Sequence, residues 1–292
     1  QNFYIVLFII SILLLGKSMN KSIILSLLFT ISFTACAKTA SDNYFGEQQS
    51  SSKKEYESFR KNIANTFENQ TPKEWGESVT GVKTKFDTNE KVIALTMDAC
   101  GSPHGMGYDE KLINFLKQEK VPATLFINAR WIDKNLNTFK ALASTPLFEI
   151  ANHGLEHKPA SVNGKSIYGL DGSKNMEELV DEIELNARKI EQITDKRPKY
   201  FRSGTAYYDE VAVKIANKLN HQVIGFSILG DAGATFSKEK VENAFLKAKN
   251  GEIAIIHMNH PESQTADGTI KAIKELKQKG FRFVRLSDYK LK

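Results

Sequence analysis

Cysteine is scarce: the 292-residue sequence holds two, Cys36 and Cys100. With one of them in the N-terminal region used as an anchor, no internal disulfide is available, and an ordinary hydrophobic core must supply stability. A long apolar run is also lacking. The two N-terminal apolar blocks, residues 3–15 and 23–33, are interrupted by Gly16 to Lys21. Neither reaches the ~20 residues that a spanning helix needs. Nor is there a basic cluster with interleaved aromatics, so the net charge of +6 is a mild bias that permits an anionic surface or a glycan and gives no support to nucleic acid. No protein partner is implied. The 41% hydrophobic and 25% charged composition excludes a disordered chain and suits one large α/β domain.

Residues 23–33, with Asn20-Lys21 before them and Thr34-Ala35-Cys36 after, read as an export signal starting at Met19. They resemble a bacterial lipoprotein signal. That resemblance implies a leader over 1–35, with 1–18 upstream of the true start, and a lipidated Cys36 anchoring an exported protein to a membrane of the cell envelope. Residues 36–54 are polar and aperiodic and read as a tether. Tyr56, Phe59, Ile63 and Phe67 then recur at intervals of three and four, one apolar helical stripe, so a helix is expected over 55–68, closing in a turn before Pro72, within an N-terminal helical extension that spans 55–89.

From residue 91 short apolar runs alternate with amphipathic segments. Strands are expected at 91–97, 122–128, 147–151, 199–202, 222–228, 252–257 and 281–286. Helices are expected at 109–119, 131–143, 176–193, 208–220, 238–249 and 266–279. This alternation predicts a parallel sheet or a (β/α) barrel, whose chemistry gathers at the C-terminal ends of strands. Polar constellations fall there: Thr96-Met97-Asp98-Ala99-Cys100-Gly101, Asn152-His153-Gly154-Leu155-Glu156-His157, Arg202-Ser203-Gly204, Gly230-Asp231-Ala232-Gly233 and His257-Met258-Asn259-His260. Two histidines four residues apart can bind one divalent ion if the backbone turns both rings to one point.

The order and spacing of these motifs resemble the polysaccharide deacetylases with a NodB-homology domain, carbohydrate esterase family four, over residues 90–292. Asp98 matches the first Asp of the first motif, His153 and His157 the metal-binding pair, Arg202 the Arg of the third, and His257 the His that ends the fifth. The resemblance implies a distorted (β/α) barrel, one divalent metal ion of the zinc kind, and an N-acetylated glycan substrate. It departs at Ala99, where the family places a second Asp as metal ligand, and at Ser203-Gly204, which replace prolines. It implies Asp98 as general base oriented by Arg202, or else as third metal ligand. His257 becomes the general acid with Asp231 as its partner, and backbone N–H groups from Arg202 to Thr205 become oxyanion contacts. Asn152, Thr205, Tyr207 and His260 are candidates for substrate contact. Trp131 and Tyr208 are further candidate stacking faces. Cys100 offers a thiolate in place of the missing carboxylate, or a small buried hydrophobe.

Rival readings of the same residues are a non-catalytic glycan-binding lipoprotein, favoured by Ala99, and an acetyl-ester hydrolase. His153 to Glu156-His157 also fits the inverted zinc-protease pattern, but Gly154, Pro159 and the preceding strand make a helix there a poor expectation.

Overall fold

The computed structural model describes residues 43–44 and 50–292. The expected leader, Cys36 and most of the tether lie outside them. Residues 50–54, assigned to the tether, instead open a helix, α1 (Ser50–Phe67). Nothing between Ser50 and Tyr56 breaks a helix, and Lys53 pairs with Glu57 one turn on, at 3.9 Å.

Eight parallel strands follow: β1 (Val92–Ala99), β2 (Ala123–Ile127), β3 (Phe148–Asn152), β4 (Tyr200–Phe201), β5 (Gln222–Val223), β6 (Ile228–Leu229), β7 (Glu252–His257) and β8 (Arg282–Val284). Between them run α2 (Glu110–Gln118), α3 (Ala129–Lys134), α4 (Leu136–Ala143), α5 (Met176–Thr194), α6 (Glu210–Lys218), α7 (Lys238–Leu246) and α8 (Thr265–Gln278). Every residue of β1 and β2 is buried, as expected of strands covered on both faces. The polar Thr96 is accommodated because its hydroxyl donates to the Ala254 carbonyl, at 2.6 Å. The order β5-β4-β3-β2-β1-β7-β6, with β8 against the start of β1, curls into a distorted (β/α) barrel.

Two expected elements divide. The helix over 131–143 breaks at Asn135, whose amide donates to the carbonyls of Met106 and Trp131. The single strand over 222–228 becomes β5, paired with β4, and β6, paired with β7 at the opposite edge. Residues 224–227 therefore cross the seam of the barrel. Gly225 sits at the crossing, where a Cβ would press on Val82 and Thr84. Within the extension over 55–89, the helix expected over 55–68 ends at Phe67, ahead of Pro72. The chain from 68 to 89 is a strap laid into the seam. There Lys83 donates to the Val223 carbonyl and accepts from Gly225, each at 2.9 Å, and Lys85 forms a bridge with Glu252.

Candidate active site

β1 and β3 bring three soft or borderline donors together. Cys100 follows β1 directly and His153 follows β3; the chain then turns through Gly154 (φ 78°) and His157 (φ 64°) to return the second imidazole. The thiol of Cys100 and the imidazoles of His153 and His157 present ligand atoms within 4.8 Å of one another. The Nδ1 of His153 donates to the Arg202 carbonyl at 2.9 Å, which leaves its Nε2 lone pair pointing inward, 3.7 Å from the Cys100 sulfur. The Nε2 of His157 is buried with no hydrogen-bond partner. Two imidazoles with free inward nitrogens and a thiol fit a divalent cation of the zinc type. Burial pushes the Cys100 thiol up, but the charges of His157 and His257 together with the His153 hydrogen bond outweigh it. The result lies well below the usual thiol range.

The turn is held from below by α5. Glu182 accepts from the backbone N–H groups of Glu156 and Lys158, at 2.9 and 3.0 Å, and its own carbonyl accepts from Leu155. A Cβ at position 154 would overlap the Glu182 carboxylate, so glycine is required there both for space and for its positive φ. On the other side, a Cβ at position 204 would overlap the backbone of His157.

Around this cluster stand two further pairs. Arg202, fully buried, donates to Asp98 Oδ1 at 2.7 Å and to the carbonyls of Ile224 and Gly225, which the seam crossing frees from sheet pairing. Its guanidinium also lies over the Phe126 ring, 4.2 Å from the centroid. The second Asp98 oxygen is 3.7 Å from His153 Nε2. His257, paired with Asp98 across β1 and β7, bonds Asp231 through Nδ1 at 2.9 Å, while its backbone N–H donates to the same carboxylate at 2.7 Å. Burial disfavours charge on His257. The Asp231 carboxylate and the Cys100 thiolate outweigh burial and hold its pKa well above the ordinary imidazole value.

Asp98, Cys100, His157, Thr205, His257 and His260 line one cavity of about 680 Å³. Three expected substrate contacts are placed elsewhere. Asn152 is buried and orients the turn: its amide donates to the Ile183 carbonyl, and its oxygen accepts from Gly154 and Asn186. Trp131 and Tyr208 are core residues, with Trp131 Nε1 on the Gly107 carbonyl and the Tyr208 hydroxyl on that of Ile224. Tyr207 stays half-buried among aromatic neighbours. Of the expected backbone oxyanion donors, Arg202, Ser203 and Gly204 bond internally, to the Asn152 carbonyl, the Tyr208 hydroxyl and the Lys158 carbonyl. Thr205 lines the cavity, and its buried hydroxyl has no partner.

Residues 85–224 match the family model described as polysaccharide deacetylase. The peptidoglycan-N-acetylglucosamine deacetylase of Bacillus cereus is 29% identical over 211 residues, 71% of this chain and 92% of the relative. The chain carries a polysaccharide deacetylase domain over residues 85–224. The peptidoglycan-N-acetylmuramic acid deacetylase PdaA of Bacillus subtilis is 23% identical over 231 residues, 75% of this chain and 81% of PdaA. Its solved structure has the same fold at a TM-score of 0.58 and 22% identity, covering 72% of this chain and 84% of that one. A pseudoenzyme of carbohydrate esterase family four from Bacillus anthracis also shares the fold, at a TM-score of 0.57 and 23% identity over 69% of this chain and 66% of its own.

Two residues of this deacetylase's site had no signal in the sequence. Glu182 and Asn186 lie on α5 among many polar helical residues, and nothing in their spacing distinguishes them from a solvated face. Gly204 had a signal, as the glycine two residues after Arg202, but its meaning depends on where His157 passes.

Proposed function

We propose that this deacetylase is a zinc-dependent hydrolase that removes N-acetyl groups from amino sugars of an envelope glycan of the peptidoglycan or poly-N-acetylglucosamine kind. One observation carries the reading: Asp98, Cys100, His157 and His257 face a single cavity, with Arg202 and Asp231 behind them. Cys100, His153 and His157 would hold the ion, the thiolate taking the place that Ala99 leaves without a carboxylate. A divalent ion there supplies Lewis acidity, polarising an acyl carbonyl and acidifying water.

The chain's own groups supply the proton transfers. Asp98, fixed by Arg202 through one oxygen, has the other free to accept a proton from the attacking water. His257, kept as imidazolium by Asp231, donates to the departing amine nitrogen. The Thr205 hydroxyl, buried and unpartnered beside the cavity, would donate to the developing oxyanion. Envelope anchoring rests on the sequence around Cys36, and incorporation of a labelled fatty acid that is lost in Cys36→Ala tests it.

The decisive measurement is acetate release from N-acetylglucosamine oligomers by wild type and His153→Ala, with zinc and with a chelator. Release by wild type with zinc alone is expected. Equal release in all four conditions would remove the metal from the reaction, and no release in any would favour a glycan-binding protein on the same fold.

A further inference from the structure

Among the described residues, four large apolar side chains are exposed, and three of them, Tyr168 (69%), Leu170 (43%) and Leu229 (46%), line the same cavity as the Cys100 and histidine cluster. Tyr168 stands out by its backbone. Ile167 and Leu170 exchange both of their backbone hydrogen bonds, at 3.1 and 2.9 Å, closing a two-residue hairpin turn. Its central residues, Tyr168 and Gly169, both have positive φ, 56° and 75°. A turn of that kind favours Asn-Gly, and a tyrosine at its first central position is strained. The fold gains little buried surface from it, since the residue is 69% exposed, the most of the four. Strain held for so small a packing return marks a side chain kept for what it contacts.

The surroundings hold the ring in place. Tyr168 packs edge-on against Tyr207, with centroids 5.7 Å apart and planes at 83°, and Tyr207 in turn packs against Trp75 at 5.7 Å. Trp75 belongs to the strap at the barrel seam, before the segment that matches the family model, and is covered by Lys165 at 5.8 Å. The loop carrying the turn is tied at its base by Asp209, which accepts from Val162 N at 2.7 Å while capping α6.

We propose that Tyr168, backed by Tyr207 and Trp75 and flanked by Leu170, is a stacking subsite for a sugar ring of the glycan chain next to the one being deacetylated. This rests on the proposed glycan substrate and specifies how the chain length of that substrate is read. The occupant follows from continuity: the apolar rim opens directly from the catalytic cavity, and a flat apolar ring face is what a pyranose presents to an aromatic.

The test compares wild type, Tyr168→Phe and Tyr168→Asn, with zinc, on N-acetylglucosamine monomer, which has no neighbouring ring, and tetramer. For wild type and Tyr168→Phe, kcat/KM should rise about tenfold from monomer to tetramer, carried by KM. In Tyr168→Asn most of that rise should be lost while the monomer, which does not reach the subsite, is turned over as before, and the thermal midpoint should increase because Asn-Gly suits the turn. Retention of the full tetramer advantage in Tyr168→Asn overturns the subsite, as does a fall in its thermal midpoint with equal losses on both substrates. Tetramer binding to each variant, followed by calorimetry, is read separately. If wild type releases no acetate, the proposed reaction fails, and the subsite stands only if binding is weakened in Tyr168→Asn and kept in Tyr168→Phe.

Discussion

Gly204 and His157 occupy a space that admits a backbone and no Cβ. Gly204→Ala should therefore displace the His157 turn, costing on the order of 1–3 kcal/mol of stability and roughly 100-fold in kcat/KM at saturating zinc. Denaturant melts and acetate release would measure the two effects; a variant as active as wild type would mean that the turn yields freely. Cys100 makes a separate prediction. If its sulfur is a ligand, the cobalt-substituted protein shows a thiolate charge-transfer band in the near ultraviolet that Cys100→Ser abolishes, and zinc affinity in that variant falls by more than the ~10–100-fold typical of supporting residues. An unchanged spectrum would return Cys100 to the role of a small buried hydrophobe and leave Asp98 as the third ligand.

At the scale of the element, α5 and the segment between α6 and β5 support the site with buried groups of opposite titration behaviour. Burial pushes Glu182 up to about 7, against backbone hydrogen bonds from Glu156 and Lys158 that lower it. Burial, with Arg197 adding to it, lowers His221 to about 4; its ring donates to the Leu219 carbonyl and faces the amide of Asn152 at 3.4 Å. Glu182, with its folded pKa raised above 4.5, contributes stability that is full below that value and is lost as pH rises to about 7. His221, with its folded pKa depressed below 6.5, contributes stability that is full above that value and is lost as pH falls to about 4. Each contribution is about 3 kcal/mol, and over this window they oppose one another. Wild-type stability from these two groups should thus be nearly flat with pH. Glu182→Gln should grow more stable as pH rises, and His221→Gln less stable. Urea titrations across the window check this, and variants whose slopes parallel wild type would show that neither group titrates as stated.

The same elements show why part of the site was legible in the sequence and part was not. Asp98, His153, His257 and Asp231 could be placed on one rim because fully buried parallel strands are continuous apolar runs, and the polar residue that ends each run lies at the barrel mouth. Periodicity carries no information about which edge a strand joins, so β5 and β6 were read as one. Glu182 and Asn186 were invisible for a related reason. They are polar residues on a helix, and only the path of another loop across that helix turns them from a surface into a support. Tyr168 was missed because a tyrosine before a glycine does not resemble the residue pair that such a turn prefers.

For the molecule as a whole, the parts that precede the family match act at two different places. α1 packs Ile63 and Phe67 into the cluster formed with Leu179, Ile183 and Val79, and ties itself to α5 where the Tyr56 hydroxyl and Arg60 both donate to Asp181, at 2.7 and 3.0 Å. Burial raises the Asp181 carboxyl even with these partners, so Arg60→Ala, which removes one of them, should cost about 3 kcal/mol and Tyr56→Phe about 1.5–3 kcal/mol. None of these groups lines the catalytic cavity. A chain beginning at residue 68 should therefore melt earlier, by several kcal/mol of lost burial at ~1.5–3 per large side chain, yet keep its kcat below the melting range. A chain beginning at residue 87 also loses Trp75 and the Lys83 and Lys85 pairings that fill the seam, and with them the backbone geometry that sets the two carbonyls held by Arg202. Asp98 is positioned through that same guanidinium, so this longer deletion should abolish acetate release even in whatever fraction remains folded by circular dichroism. Full activity in the folded fraction would show that β4 and β5 alone fix Arg202, and that the strap serves stability only.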